Sequence, residues 1–494
     1  MLLPADRLLE ILRGEIAGLD IPASAANDVS AAQSVAVTLA LLLRRERVGA
    51  RGVHLQMTRL ADVVRDLRST TMLIDGADER LGNVGKMLEE GQGLQDLHAL
   101  EGHWHQCLFE LEQALIAVRQ SGLNCSLQDQ IVETVSTWEI NDLTQQFDSN
   151  DLKNNGTTHP IGELALRDYL RERFADDALE LTSFQCLPGG FGKQTYLFDV
   201  ESTKLSGSYV MRRDFPIPLI DNDCHRIDNE YEVIKAVRAR GFPAPDAIWL
   251  DTTHPLLPGG DFIVMRRSPG IAGGTVISAK GEVPDDLAEI LASILAHLHS
   301  LPPMEELSTL TDSINARRWS MPLRQCVREY LEAWPELLRT TPHLPSPALT
   351  GLLGWLLDHM PEMEGDPVLL HGDIGFHNFL FDDGKLTAVL DWEFAHLGDP
   401  AEELASVRNN VGPSLDWKKF IRKYLDEGGV EVNPERVHFF EVWGHVRNAI
   451  SAIVSARTFL DRHQDDLKFV LTPHNYLPYF IRSAQALIQR GPID

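Results

Sequence analysis

The chain has 494 residues, 44% hydrophobic and 24% charged, which are ordinary proportions for a globular protein but too many residues for one hydrophobic core, so two or three units are expected. A net charge of −27 argues against nucleic acid and against anionic membrane surfaces, because both need concentrated Lys and Arg. Cys107, Cys125, Cys186, Cys224 and Cys326 are odd in number and lack Cys-x-x-Cys spacing, so neither a disulfide framework nor a zinc site is expected, and a reducing cytoplasm is the simplest location.

From residue 1 to about 147 the apolar positions follow helical spacing. Leu8, Leu12 and Ile16 share one face, as do Leu108, Leu111 and Leu115, and Ser126 is placed to cap the helix that follows it. An all-α bundle is expected there. No basic segment leads into a cleavable apolar stretch, and the run from Ser34 to Leu43 is too short to span a membrane, so it reads as a buried helix. The cluster Arg44, Arg45, Arg47 and Arg51 reads as a solvated helix end. His103 and His105, two apart, would point to different faces and cannot share a metal on a helix. Residues 148–160 are polar, contain Gly and Pro, and have no periodicity; they read as a linker.

After the linker the sequence turns to β character. Leu179 to Leu187, Gln194 to Val200 and Ser208 to Arg213 read as strands, with the glycine-rich stretch Gly189-Gly190-Phe191-Gly192 between the first two. Taken alone, that stretch fits a plain hairpin turn as well as a loop whose amides meet a ligand. Ile227, Val233, Ile234 and Val237 form the apolar face of a helix that also carries Glu230. Asp261 through Met265 to Arg267 reads as a strand ending at Pro269-Gly270. The chain then becomes mostly helical, with segments at 284–301, 322–340 and 346–360 and several more from 400 onward.

Inside that helical half lie three short apolar runs, Pro367 to Leu370, Phe379 to Phe381 and Leu386 to Leu390, with Asp383-Gly384 as a hairpin signal between the last two. Around them stand His371-Gly372-Asp373-Ile374-Gly375-Phe376-His377-Asn378 and Leu390-Asp391-Trp392-Glu393. Asn378 follows Asp373 by 5 positions and Asp391 follows it by 18. This set suits phosphoryl transfer, in which the protein positions a nucleophile and neutralises charge. Asn378 and Asp391 supply the oxygen ligands that Mg²⁺ prefers. Asp373 is then left as the base for an attacking hydroxyl.

These residues carry a resemblance. The His-Gly-Asp, the Asn at 378, the strand ending in Asp391-Trp392-Glu393, and Gly398-Asp399-Pro400 followed by Glu403-Leu404-Ala405 resemble the aminoglycoside phosphotransferase and choline kinase-like family, relatives of the protein kinases. Glu403 stands where the family pattern has Asp. The resemblance implies an α+β chain with a bilobal protein-kinase-like fold: a small lobe at 161–267 and a large lobe at 268–494, preceded by the all-α domain of residues 1–147 and the linker 148–160. It also implies ATP and Mg²⁺ as cofactors and the hydroxyl of a small molecule as acceptor.

Residue by residue, the resemblance places the turn of Gly189, Gly190 and Gly192 over the nucleotide phosphates. Arg212 stands where kinases have a phosphate-binding lysine, with Arg213 as the alternative register, and Glu230 as its partner. Met265 and Arg267 lie at the hinge that would meet adenine. Asp399 is expected to orient the catalytic loop, and His297 and His299 to pack near it. Arg-Arg on the third strand leans toward the phosphotransferase domains linked to acyl-CoA dehydrogenases. That makes a hydroxyacyl-CoA the expected acceptor, ahead of an aminoglycoside or amino alcohol, with Arg317, Arg318, Lys418 and Lys419 as candidate contacts for CoA phosphates. The helical domain is expected to serve a protein partner or a homodimer, and a pseudokinase that binds nucleotide without turning it over is the alternative function.

Overall fold

The computed structural model describes residues 49–69, 77–120, 125–144, 161–187, 192–215, 225–253, 257, 260–273, 284–310, 316–340, 343–460 and 467–493. The stripe at Leu8, the cluster at Arg44, the linker, Gly189 and Gly190 lie outside them. In chain order the elements are α1 (49–69), α2 (Ala77–Gly91), α3 (Leu97–Gln120), α4 (Cys125–Thr144) and α5 (Glu163–Phe174), then β1 (Glu180–Leu187), β2 (Lys193–Glu201) and β3 (Gly207–Asp214). Next come α6 (Ile227–Ala239), β4 (Asp246–Asp251), β5 (Phe262–Arg266), β6 (Ile271–Ala272), α7 (Asp285–His299), α8 (Leu323–Thr340) and α9 (Pro347–Asp358). The last set is β7 (Val368–Leu370), β8 (Phe379–Asp382), β9 (Lys385–Val389), β10 (His396–Gly398), α10 (Pro400–Val411), α11 (Trp417–Asp426), α12 (Pro434–Leu460) and α13 (Leu467–Arg490). The fold is α+β, a kinase-like pair of lobes with further helices.

In the small lobe, β1 to β5 form one antiparallel sheet in the order β1-β2-β3-β5-β4. Side chains alternate across it with the period of a strand. Phe262 and Val264 of β5 pack with Tyr196, Phe198, Tyr209 and Met211 under Leu166 and Leu170 of α5. Ile263 and Met265 join the opposite core, made with Val233, Ile234 and Val237 of α6. Each large apolar side chain so buried contributes about 1.5–3 kcal/mol. The second core continues through Leu291, Leu295 and Leu298 of α7 to Phe379, Val389 and Trp392, so the apolar floor of the small lobe also covers the segment that carries Asp391.

The β8–β9 hairpin turns at Asp383 and Gly384, both at positive φ (46° and 74°). Asp-Gly is the pair that a two-residue turn of this hand selects. β7 pairs with β10, which brings residues 396–398 back beside the strand that enters the catalytic loop.

Two compact units emerge, and their boundaries differ from those expected from the sequence. One contains the N-terminal helices together with Leu338–Met360 and His445–Arg490; the other contains His159–Leu337, Pro361–Gly444 and Gly491–Asp494. The sequence reading placed all of 268–494 in the large lobe. Helix α9 instead packs on α3 and α4, and α13 on α4. The physical reason is legible at the start of α9, where Glu112 accepts a hydrogen bond from the Ser346 amide (2.7 Å) and Glu139 accepts from the Ser346 hydroxyl (2.6 Å) and the Ala348 amide (2.7 Å). Buried acids of the N-terminal helices thus satisfy amides that the first turn of a helix leaves unpaired. Among the described residues no helix is long and apolar enough to cross a membrane.

Candidate active site

The loop from His371 to Asn378 leaves β7 and enters β8 through a short 3₁₀ turn at Phe376–Asn378. Its first residues hang from one carboxylate. Glu403 Oε1 accepts from the amides of His371 (2.6 Å) and Gly372 (3.0 Å), while Oε2 lies 2.8 Å from His299 Nε2. His299 Nδ1 is in turn 2.8 Å from the Tyr424 hydroxyl. Asp399, expected to orient this loop, does something else: it caps α10 through the Ala401 amide and grips Arg436 with both oxygens, at 2.6 and 2.8 Å. The loop is oriented by Glu403 and His299.

His371 is fully buried, and burial lowers its pKa despite the nearby carboxylates, which keeps the ring neutral. Its Nε2 lies 2.8 Å from the Leu390 carbonyl, so that nitrogen carries the proton and Nδ1 accepts from the Asp373 amide at 3.3 Å. One ring therefore ties the start of the catalytic loop to the residue before Asp391. Gly372, at φ 81°, is required here, because a Cβ would fall 2.3 Å from the Phe394 carbonyl oxygen.

The carboxylate of Asp373 is held from two sides. Asn378 Nδ2 donates to its backbone oxygen (2.9 Å) and to Oδ2 (3.2 Å), and His377 Nε2 stands 3.2 Å from the same Oδ2. Burial works against a charged His377, but the Asp373 hydrogen bond prevails and raises its pKa. With the Asn378 amide nitrogen committed to Asp373, the carboxamide oxygen is the end that suits a hard cation. Asn378 also accepts from the Leu390 amide through its backbone oxygen (2.7 Å), so the two residues expected to hold a metal sit at the ends of one short link.

Asp391 adopts φ 67°, a left-handed backbone that non-glycine residues rarely take. It projects its carboxylate to Arg212, whose Nη2 lies 2.6 Å from Oδ1. The same guanidinium places Nε 3.1 Å from Glu230 Oε1 and Nη2 3.7 Å from Glu393 Oε2. Arg213, the alternative register, points elsewhere and donates to the carbonyls of Leu257 and Gly260. Burial opposes the charge on Asp391, yet Arg212 holds its pKa below the usual carboxylate range. Glu230, with no exposed side-chain surface, is raised by burial, and Arg212 offsets only part of that. Glu393 is pushed up to about 8, by burial first and then by the charge of Asp391.

Lys193, which the sequence reading passed over, closes the group. Its ammonium is 2.6 Å from Asp214 Oδ1, donates to the His225 carbonyl, and lies 4.0 Å from Glu393 Oε2. Glu393 follows Asp391 by two residues in the Asp-Trp-Glu motif, the one sequence signal for its place in the group. Lys193 carried one weak signal, its place directly after the glycine turn. Gly192 passes so close to Glu393 that a Cβ would sit 2.5 Å from Oε2. Met265 is buried in the core shared with Trp392, and Arg267 is exposed with its amide donating to the Ser208 carbonyl, which spends that N–H in the sheet rather than at a hinge.

Four carboxylates, Asp214, Glu230, Asp391 and Glu393, thus face two cations, Arg212 and Lys193. Glu230 Oε1 meets Arg212 Nε as an ion pair at 3.1 Å, while Glu230 Oε2 is buried without a hydrogen bond, which costs free energy. A divalent cation fits this excess of oxygen donors. Among the described residues no three acidic, His or Cys side chains converge tightly enough to hold a metal by themselves.

A family model described as the phosphotransferase enzyme family matches residues 183–440, the stretch that holds every residue of this group. Rat acyl-CoA dehydrogenase family member 11 is 31% identical over 261 residues, covering 48% of this chain and 32% of that protein. Viomycin phosphotransferase of Streptomyces vinaceus is 26% identical over 186 residues, 33% of this chain and 58% of that one. The chain thus spans about a third of the length of the acyl-CoA dehydrogenase relatives it matches. Among solved structures, a type I macrolide 2′-phosphotransferase is 18% identical and covers 66% of this chain and 97% of its own at a TM-score of 0.41.

Proposed function

The chain belongs to the phosphotransferase enzyme family, and from that premise we propose that it is an ATP-dependent kinase that moves the γ-phosphoryl group onto a small-molecule hydroxyl, with a hydroxyacyl-CoA as the first acceptor to test. The observation that carries the reading is the linked placement of base, metal ligands and phosphate-facing cation. Asp373 is bonded to Asn378, Asn378 to Leu390, and Asp391 to the Arg212 that Glu230 supports. Asp373 takes the proton of the acceptor hydroxyl, and its partner His377 keeps the carboxylate aimed. Asn378 and Asp391 would hold Mg²⁺, which supplies charge neutralisation at the transferred phosphoryl group. Arg212 presents a planar guanidinium to phosphate oxygens, and burial strengthens its pull by lowering the local dielectric.

The acceptor class rests on Arg212-Arg213 and on the acyl-CoA dehydrogenase relatives. The basic residues first considered for CoA phosphates do not add to it, since Lys419 pairs with Asp285 at 2.7 Å and Arg318 is buried against the Cys326 carbonyl. The test is ATP consumption by the full chain with hydroxyacyl-CoAs, amino alcohols and aminoglycosides, repeated with Asp373→Asn. The expected result is turnover with one acceptor class and a loss of roughly 10²- to 10⁴-fold in the variant, with nucleotide binding retained. Turnover unaffected by Asp373→Asn would refute the assignment, and dependence on an aminoglycoside alone would remove the acyl-CoA acceptor.

A further inference from the structure

We infer that Lys193 is a second cation of the nucleotide-phosphate site, sharing with Arg212 the role that the kinase pattern gives to one strand residue. The inference rests on the ATP-dependent reading and deepens it. β2 and β3 are in register so that Lys193 faces Asp214 and Thr195 faces Arg212, and residues opposed in this way share one face of a sheet. Both cations therefore project from the same side of the sheet, one strand apart. They meet at a single oxygen, Glu393 Oε2, which is 3.7 Å from Arg212 Nη2 and 4.0 Å from Lys193 Nζ. The backbone of Gly192, the last residue of the glycine turn, touches the same oxygen's surroundings. Gly192, Lys193, Arg212 and the Asp391 segment thus share one corner.

A purely structural role explains part of this. The Asp214 carboxylate and the His225 carbonyl fasten Lys193 between the end of β3 and the start of α6. They account for two of the three N–H donors of an ammonium. Among the described residues the third makes no hydrogen bond, with Glu393 Oε2 standing 4.0 Å away. The side chain is 5% exposed, and a buried ammonium one residue after Gly192 and facing Glu393 is placed for an anion that is not a side chain. A lysine suits the second place, since its ammonium is a compact point charge that does not require the planar geometry of the guanidinium.

The test is calorimetric titration of the full chain with Mg·ATP and with adenosine, for the wild type, Lys193→Met and the double variant Lys193→Met/Asp214→Asn. The double variant removes the carboxylate that the single one leaves without its partner, so the question survives if Lys193→Met fails to fold. Both variants are expected to bind Mg·ATP roughly 10- to 100-fold more weakly, the worth of a charge-assisted hydrogen bond, while adenosine binding stays within about twofold. Wild-type affinity for Mg·ATP in the folded variants, or an equal loss for both ligands, would overturn the inference and leave the kinase reading standing. A wild-type chain that does not bind Mg·ATP would overturn both.

Discussion

Arg212 is the residue on which the site's electrostatics turn. Its side chain is only 13% exposed and serves Glu230 through Nε and Asp391 through Nη2, and those two carboxylates come from elements far apart in sequence. Replacing it by Met strands both acids in a low-dielectric corner. Arg212→Met is therefore expected to destabilise the chain by about 3–5 kcal/mol, the usual cost of removing one partner of a buried pair. Urea unfolding midpoints measure this, and an unshifted midpoint would show that the acids are neutral or otherwise solvated. Arg212→Lys keeps the charge but not the fork, so one ammonium must choose between two carboxylates. It is expected to cost less stability than Met and to lower turnover more than its stability loss accounts for.

At the scale of elements, the start of α9 is held by acids from two other helices. Glu112 is pushed up to about 8, by burial first and then by the neighbouring charge of Glu139, while the Ser346 amide pulls the other way; His343 Nε2 stands 3.9 Å off. The unfolded carboxyl titrates near 4.5. Between these values the folded chain holds more protons than the unfolded one, so stability falls as pH rises from about 4.5 to about 8. Glu393 adds a slope of the same sign. Glu112→Gln is expected to flatten this slope without abolishing it, read as the difference between denaturant midpoints at pH 5 and pH 8. An unchanged difference would place the pH dependence elsewhere.

For the whole molecule, the interleaved units make the N-terminal helices part of a discontinuous body rather than a detachable preface. Residues 338–360 and 445–490 belong to the same unit, with α9 packed on α3 and α4 and α13 on α4. A fragment comprising 161–494 is expected to melt below the full chain, or to associate, because the core side of α9 and α13 would meet water. Calorimetry and gel filtration check this. A monomeric fragment that melts like the full chain would restore the boundary at residue 160.

The sequence by itself carried the phosphotransferase family and the strands around the candidate site. Asp373, Asn378 and Asp391 stand out because side chains of those types on short strand ends suit the phosphoryl transfer proposed for them, and the strands announce themselves through apolar runs and an Asp-Gly turn. β4 went unread, since Asp246 to Asp251 mixes polar and apolar residues without a clear alternation. What only the tertiary structure decided is everything that depends on convergence over long sequence separation: Arg212 rather than Arg213 facing the acids, Glu403 rather than Asp399 holding the loop, Lys193 joining the group, and α9 belonging with the N-terminal helices. A one-residue change of strand register moves a side chain to the opposite face, and a hydrogen bond between residues two hundred apart leaves no periodic trace. Local spacing marks the candidate groups, and packing decides which charges they meet.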